Sequence, residues 1–166
     1  MAHGDAARWD DRYRDRAGEI EPAAPAALVA SERADLLPTA GRALDVACGL
    51  GAQSLWLAEQ GFDVEAIDAS GEAVRRLTDE ATRHGLDQRI HATILDLDRG
   101  IPASLGRFDV IVCQLFRAPH LYGTFVERLA PGGVAIVTVL SRTGAADPGR
   151  RCPVAGQGQT RPVLRP

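Results

Sequence analysis

Three carboxylates and two glycines stand at spacings that suit a charged, ribose-bearing ligand. Asp45 lies four residues before Gly49, and Gly49-Leu50-Gly51 follows the short apolar run Ala43-Leu44-Asp45-Val46-Ala47. Glycine reaches positive φ without strain and carries no Cβ, so Gly49 and Gly51 permit a tight turn and close approach of a ligand to the backbone. If a helix opens after that turn, its first N–H groups face the ligand. Asp68 closes the next apolar run, where a carboxylate accepts hydrogen bonds from a ribose. Asp96 stands at the end of a third run. Strand, glycine loop, helix, strand and acid together read as an adenosine-binding half-domain.

The same residues select among adenosine ligands. A dinucleotide fingerprint asks for glycine or alanine three residues after its second glycine, and Ser54 stands there instead. A carboxylate at Asp45 repels a pyrophosphate but attracts an ammonium, directly or through water. S-adenosylmethionine carries an ammonium and no phosphate, so it is favoured over a nicotinamide dinucleotide. Cys48 adjoins the loop, yet no histidine lies close in sequence to activate it, so it reads as a small packing residue rather than a nucleophile. Cys48, Cys113 and Cys152 are far apart and no C-x-x-C or H-x-x-E-H run occurs, so no metal site is expected and reduced thiols are.

The elements that must position these residues follow from periodicity and punctuation. Strands are expected at about 42–47, 63–68, 90–95, 109–113 and 134–140. Between them a helix follows the glycine loop, with Ala52, Leu55, Trp56 and Ala58 inward and Gly61 just past its end. A second helix opens on Ser70 as N-cap, carries Ala73, Val74, Leu77 and Ala81 at helical spacing, and ends at Gly85. Leu121, Phe125, Val126 and Leu129 line a third. Upstream, the spacing predicts helices from about Asp5 to Arg16 and from Leu28 to Leu37, the latter stopped by Pro38. Alternating strands and helices imply an α/β, doubly wound, Rossmann-like parallel sheet with right-handed crossovers. The expected strand order is 3-2-1-4-5, with the ligand at the switch beside the first strand.

These motifs resemble the class I S-adenosylmethionine-dependent methyltransferases. The first family motif, acid-x-(Gly/Ala)-x-Gly-x-Gly, stands here as Asp45-Val46-Ala47-Cys48-Gly49-Leu50-Gly51, with alanine at its first glycine position. Val64-Glu65-Ala66-Ile67-Asp68-Ala69-Ser70 is similar to the ribose-binding strand end, and Leu95-Asp96-Leu97 to the acid placed near the adenine amino group. Phe108-Asp109-Val110-Ile111-Val112-Cys113 matches the strand facing the reacting centre, and Leu129-Ala130-Pro131-Gly132-Gly133 the turn into strand five. All five occur in order, across roughly residues 40–140. Trp9-Asp10-Asp11-Arg12-Tyr13 also resembles the W-x-x-R-Y segment of the tellurite-resistance and thiopurine-type branch, which handles small molecules. The resemblance implies a cofactor site built from Trp9, Tyr13, Asp45, Ala47, Cys48, Gly49, Gly51, Asp68, Ala69, Asp96, Leu97 and Gln114. It implies methyl transfer to a small acceptor such as a thiol or a selenium or tellurium oxyanion. Such acceptors need no strong base; an oxygen acceptor wants one, and His120 is the nearest residue to serve.

Composition sets the outer bounds. At 166 residues one domain is the natural expectation, and 45% hydrophobic residues suffice for one core. A net charge of −3 argues against a large nucleic-acid surface. No apolar run is long enough for a membrane span and the start has no apolar signal core, so a cytoplasmic protein is expected. Residues 1–140 are expected to form the cofactor-binding domain, with 1–38 as a helical N-terminal segment. Residues 141–166 carry four prolines and five arginines against one acid, so they read as an irregular tail. The family fold normally continues with a helix, a sixth strand and a reversed seventh strand, so the chain is expected to be C-terminally truncated. That leaves three rivals: an inactive S-adenosylmethionine-binding relative, a nicotinamide-dependent oxidoreductase and a non-catalytic interaction module.

Overall fold

The computed structural model describes residues 3–16, 18–31 and 34–139. The expectations for Cys152 and for residues 141–166 lie outside them. Helix α1 (His3–Arg14) and helix α2 (Ala26–Ser31) precede the alternating part of the chain. That part runs β1 (Gly41–Val46), α3 (Ala52–Glu59), β2 (Phe62–Asp68), α4 (Gly71–Arg83), β3 (Ile90–Ile94), β4 (Phe108–Gln114), α5 (Tyr122–Arg128) and β5 (Leu129–Thr138). The five strands form one sheet in the order β3-β2-β1-β4-β5, and every pairing is parallel.

The period-two alternation of strand side chains divides the core between the sheet's two faces. Ala43, Val64, Ala66, Val110 and Val112 pack with Leu55 and Ala58 of α3 and Leu77 of α4 on one face. Leu44, Val46, Ile67, Ile111 and Cys113 pack with Leu97, Leu121 and Phe125 on the other. Strands covered on both faces read as continuous apolar runs, as β4 does. In register, Asp45 sits opposite Ala66 of β2 and Val112 of β4, so it occupies the middle of the sheet. The strand ends that follow Val46, Asp68 and Gln114 therefore open on the same edge.

Several boundaries differ from the sequence expectation, each for a local reason. β5 begins at Leu129, not Val134, because Leu129 takes an extended backbone and pairs with Phe108. A register shift between Phe108 and Val110 then absorbs the intervening Pro-Gly-Gly turn. Leu129 thus leaves the third helix of the expectation, and Val126 on α5 is exposed rather than inward. On α3, Leu57 is fully buried while Ala52 and Trp56 are only partly covered. The expected helix over 28–37 begins earlier, at Ala26 just after Pro25, and a short 3-10 turn spans Ala34–Leu36. The cap of α4 agrees with expectation: the Ser70 hydroxyl accepts from the Ala73 N–H at 3.1 Å. Among the described residues, no helix is long and apolar enough to cross a membrane.

Candidate functional site

The site assembles at the C-terminal ends of β1, β2, β3 and β4. After β1 the chain turns through Ala47 (φ 54°) and Gly49 (φ 54°) into Gly51 (φ 84°), which precedes α3. Ala47 pays for its left-handed conformation, and such strain gathers at functional turns. The two glycines serve different neighbours. A Cβ on Gly51 would lie 2.2 Å from Leu77 Cδ1, so Gly51 lets α4 pack against the loop. A Cβ on Gly49 would lie 2.9 Å from the Tyr13 hydroxyl, so Gly49 admits α1 over the loop.

Asp68 ties the loop to the second strand. One carboxylate oxygen accepts from the Gly49 N–H at 2.8 Å and the other from the Ser70 N–H at 2.9 Å. Ser70, from whose N–H it accepts, is itself the N-cap of α4, so Asp68 steadies the capping residue rather than the helix end. Each carboxylate oxygen keeps a further lone pair for a ribose hydroxyl. Asp45 is buried beneath the loop and accepts from the Ser54 hydroxyl at 2.6 Å. Ser54, where the dinucleotide fingerprint has glycine or alanine, is thus the partner that holds this acid.

Burial pushes Asp45 up to about 7; the Ser54 hydrogen bond lowers it and the Asp68 charge raises it. Burial likewise raises Asp68, against the pull of its backbone donors. Among the described residues neither carboxylate has an ion-pair partner. Two neighbouring buried acids without a cation make a site that gains by receiving one. Cys48 is buried and hydrogen-bonds the Gly49 carbonyl at 3.6 Å, and its thiol is raised well above the ordinary range by burial. It is inert packing, as the sequence indicates.

The remaining residues frame the site. Trp9 and Tyr13 stack at 5.5 Å, with the Arg12 guanidinium 5.2 Å from the Trp9 ring centre. Burial and the Asp68 charge keep the Tyr13 phenol protonated. Ala69 is partly covered at the end of β2. Asp96 caps the short turn Leu97–Arg99 by accepting from the Asp98 N–H. Beside it a cavity of about 400 Å³ is lined by Ile94, Leu95, Asp96 and Ile101. Leu97 is buried, and its carbonyl meets His120 Nε2 at 3.2 Å. A carbonyl only accepts, so Nε2 carries the proton and Nδ1 is the basic nitrogen. Gln114 pairs in register with Thr138 at the ends of β4 and β5; Gln114 Oε1 and Thr138 Oγ1 are buried with no hydrogen-bond partner among the described residues. Such orphaned atoms call for a ligand or a water.

Sequence reading missed three polar residues that organise this region: Asp10, Arg76 and Glu80. Glu80 was traceable, because it falls on the apolar stripe of α4 between Leu77 and Ala81. Asp10 and Arg76 leave no such signal, since their partners lie about 60 residues away.

With fold and site described, the class is defined. A family model for the methyltransferase domain matches residues 43–133, and the chain belongs to that family, the class I S-adenosylmethionine-dependent methyltransferases. It is 34% identical over 134 residues to glycine N-methyltransferase of Rattus norvegicus, covering 66% of this chain and 45% of that protein. It is 31% identical over 137 residues to the 23S rRNA (uracil(1939)-C(5))-methyltransferase RlmD of Chromobacterium violaceum, covering 79% of this chain and 27% of that one. A methyltransferase from Geobacter sulfurreducens, solved with S-adenosyl-L-homocysteine, shares the fold at a TM-score of 0.61 and 19% identity, over 79% of this chain and 54% of its own. The chain spans less than half the length of these two curated relatives.

Proposed function

We propose that this chain binds S-adenosylmethionine across the ends of β1, β2 and β3 and supports methyl transfer to a small-molecule acceptor beyond β4. The observation that carries the reading is the pair of buried, uncompensated acids Asp45 and Asp68 around the glycine loop. A cationic nucleoside without phosphates suits that pair because it favours their ionised forms; a pyrophosphate disfavours them, which opposes the nicotinamide reading.

When bound, S-adenosylmethionine supplies a sulfonium-activated methyl group, the sulfur keeping the bond's electron pair as a nucleophile takes the carbon. The chain's own task is binding, orientation and exclusion of water. Ala47, Cys48, Gly49 and Gly51 shape the loop against the methionyl part. Asp68 and Ala69 take the ribose, and Asp96 borders the adenine cavity, with Leu97 next to it in the chain and its side chain in the core. Gln114 offers its unpartnered oxygen near the methionyl end, and Trp9 and Tyr13 cover the top. His120, tied to Leu97, presents Nδ1 as the base for an acceptor that must lose a proton.

The likeness to glycine N-methyltransferase supports a small acceptor, and a net charge of −3 agrees. Calorimetry with S-adenosylhomocysteine tests the cofactor site: micromolar or tighter binding is expected, and binding of NADH instead rejects it. A radiolabelled-methyl screen tests the acceptor: transfer to small thiols, amines or oxyanions is expected, and label found only on RNA, DNA or protein rejects it. Binding without any transfer identifies an inactive relative.

A further inference from the structure

Helix α1 lies alongside α4 and is held there by reciprocal polar caps. Asp10 of α1 reaches the start of α4, where its carboxylate accepts from the Ser70 hydroxyl and from the Glu72 N–H. Arg76 of α4 reaches the end of α1. Its Nη1 donates to the carbonyls of Tyr13 and Arg16, and its Nη2 to the carbonyl of Gly18. One turn on, Glu80 accepts from the Ile20 N–H at 3.3 Å. Residues 10–16 and 18–20 thus meet residues 70–80 at successive rungs. The last carbonyls of a helix have no partner within it, and a guanidinium fork supplies several donors at once.

Apolar packing contributes little to this attachment. No side chain of α1 from Ala6 to Arg14 is fully buried; Trp9 and Tyr13 are half-covered. Elements with few buried apolar contacts occupy the low end of local stability and open readily. Yet Tyr13 stands directly over Gly49, and the carbonyl that Arg76 holds is Tyr13's own. The other end of the attachment, Ser70, lies two residues after Asp68, which binds the loop.

We propose that Asp10 and Arg76 are positioning residues that lock α1 over the cofactor and thereby set the rate at which the spent nucleoside leaves. This rests on the S-adenosylmethionine reading. Arg76 and Asp10 act by placing Tyr13 and Trp9. The lock is polar and half-exposed, so salt loosens it.

Stopped-flow release of S-adenosylhomocysteine is compared in the wild type, Arg76→Met, Asp10→Ala and the control Arg75→Gln. Arg75 is the preceding residue on α4, pairs with Glu72 and Asp79 at the surface, and carries the same charge. Release is expected to accelerate about tenfold or more in Arg76→Met and in Asp10→Ala, and to stay within about twofold in Arg75→Gln. The double variant releases no faster than the faster single one, because both open one lock. Wild-type release quickens with salt and the double variant's does not. Wild-type release rates in both single variants overturn the proposal. A second readout needs no ligand: acrylamide quenching of Trp9 in a Trp56→Phe background, where Trp9 is the sole tryptophan. Quenching about threefold faster in Arg76→Met, with unchanged circular dichroism, supports the lock, and equal quenching overturns it. If the wild type binds no S-adenosylhomocysteine while quenching responds, the cofactor reading fails and the lock stands.

Discussion

Asp45 carries the pH dependence of the site. Its pKa rises on folding from 3.8 to about 7 because burial disfavours the carboxylate. A raised carboxyl pKa means that folding stability from this group is full below the unfolded value and is lost as pH climbs to about 7. A bound cation reverses the preference by stabilising the carboxylate. S-adenosylmethionine binding is therefore expected to release a proton below pH 7, and affinity to rise with pH by up to about tenfold per unit before levelling off. Calorimetry in buffers of different ionisation enthalpy reads that proton directly. In Asp45→Asn the dependence shrinks to what Asp68 contributes, the ligand binds more weakly, and the ligand-free protein melts several degrees higher at pH 8. Asp68→Asn removes a charge and costs one backbone N–H its acceptor, so S-adenosylhomocysteine affinity is expected to fall about tenfold or more. Equal affinity in this variant contradicts the ribose assignment.

Between elements, the tightest dependence is that of the glycine loop on α4. Gly51 takes φ 84°, and a Cβ there meets Leu77. Gly51→Ala is expected to cost about 2–4 kcal/mol from backbone strain and overpacking together. Leu77→Ala alone leaves a cavity worth about 2–5 kcal/mol. The double variant should be less damaged than the two costs summed, since shrinking Leu77 relieves the clash; strict additivity in urea melts excludes that contact.

Across the molecule, β1 and β4 each have two strand neighbours and a covered face on both sides, while β3 and β5 are outermost among the described residues. Native-state hydrogen exchange should therefore be slowest at Leu44–Val46 and Ile111–Cys113 and faster in β3 and β5. Cys48 and Cys113 follow the same ranking. Both are free and buried, and burial pushes Cys113 up to about 12, with the Asp45 charge adding to it. Thiol reagents mapped by mass should label these two only as fast as the protein unfolds. Rapid labelling of either in the native state contradicts the packing described.

What the amino-acid order determined alone is what depends on local repetition and punctuation. The apolar runs, the Gly49–Gly51 turn, the Ser70 cap and the glycine stops at Gly61 and Gly85 place β1 to β4, α3 and α4 within a residue or two, while β5 starts five residues early and α2 is displaced. Their alternation leaves few topologies, and the observed 3-2-1-4-5 order is among them. Asp45 and Asp68 were legible because acids at the ends of apolar runs have few structural uses. The tertiary structure decided what depends on residues distant in sequence. Only packing reveals that Ser54 holds Asp45, that Asp68 bonds the Gly49 N–H, and that Gly51 makes room for Leu77. Helix ends leave polar groups unsatisfied without specifying which side chain will reach them. Asp10 and Arg76 therefore read as ordinary surface charges until the fold brings α1 and α4 together and each becomes the cap of the other.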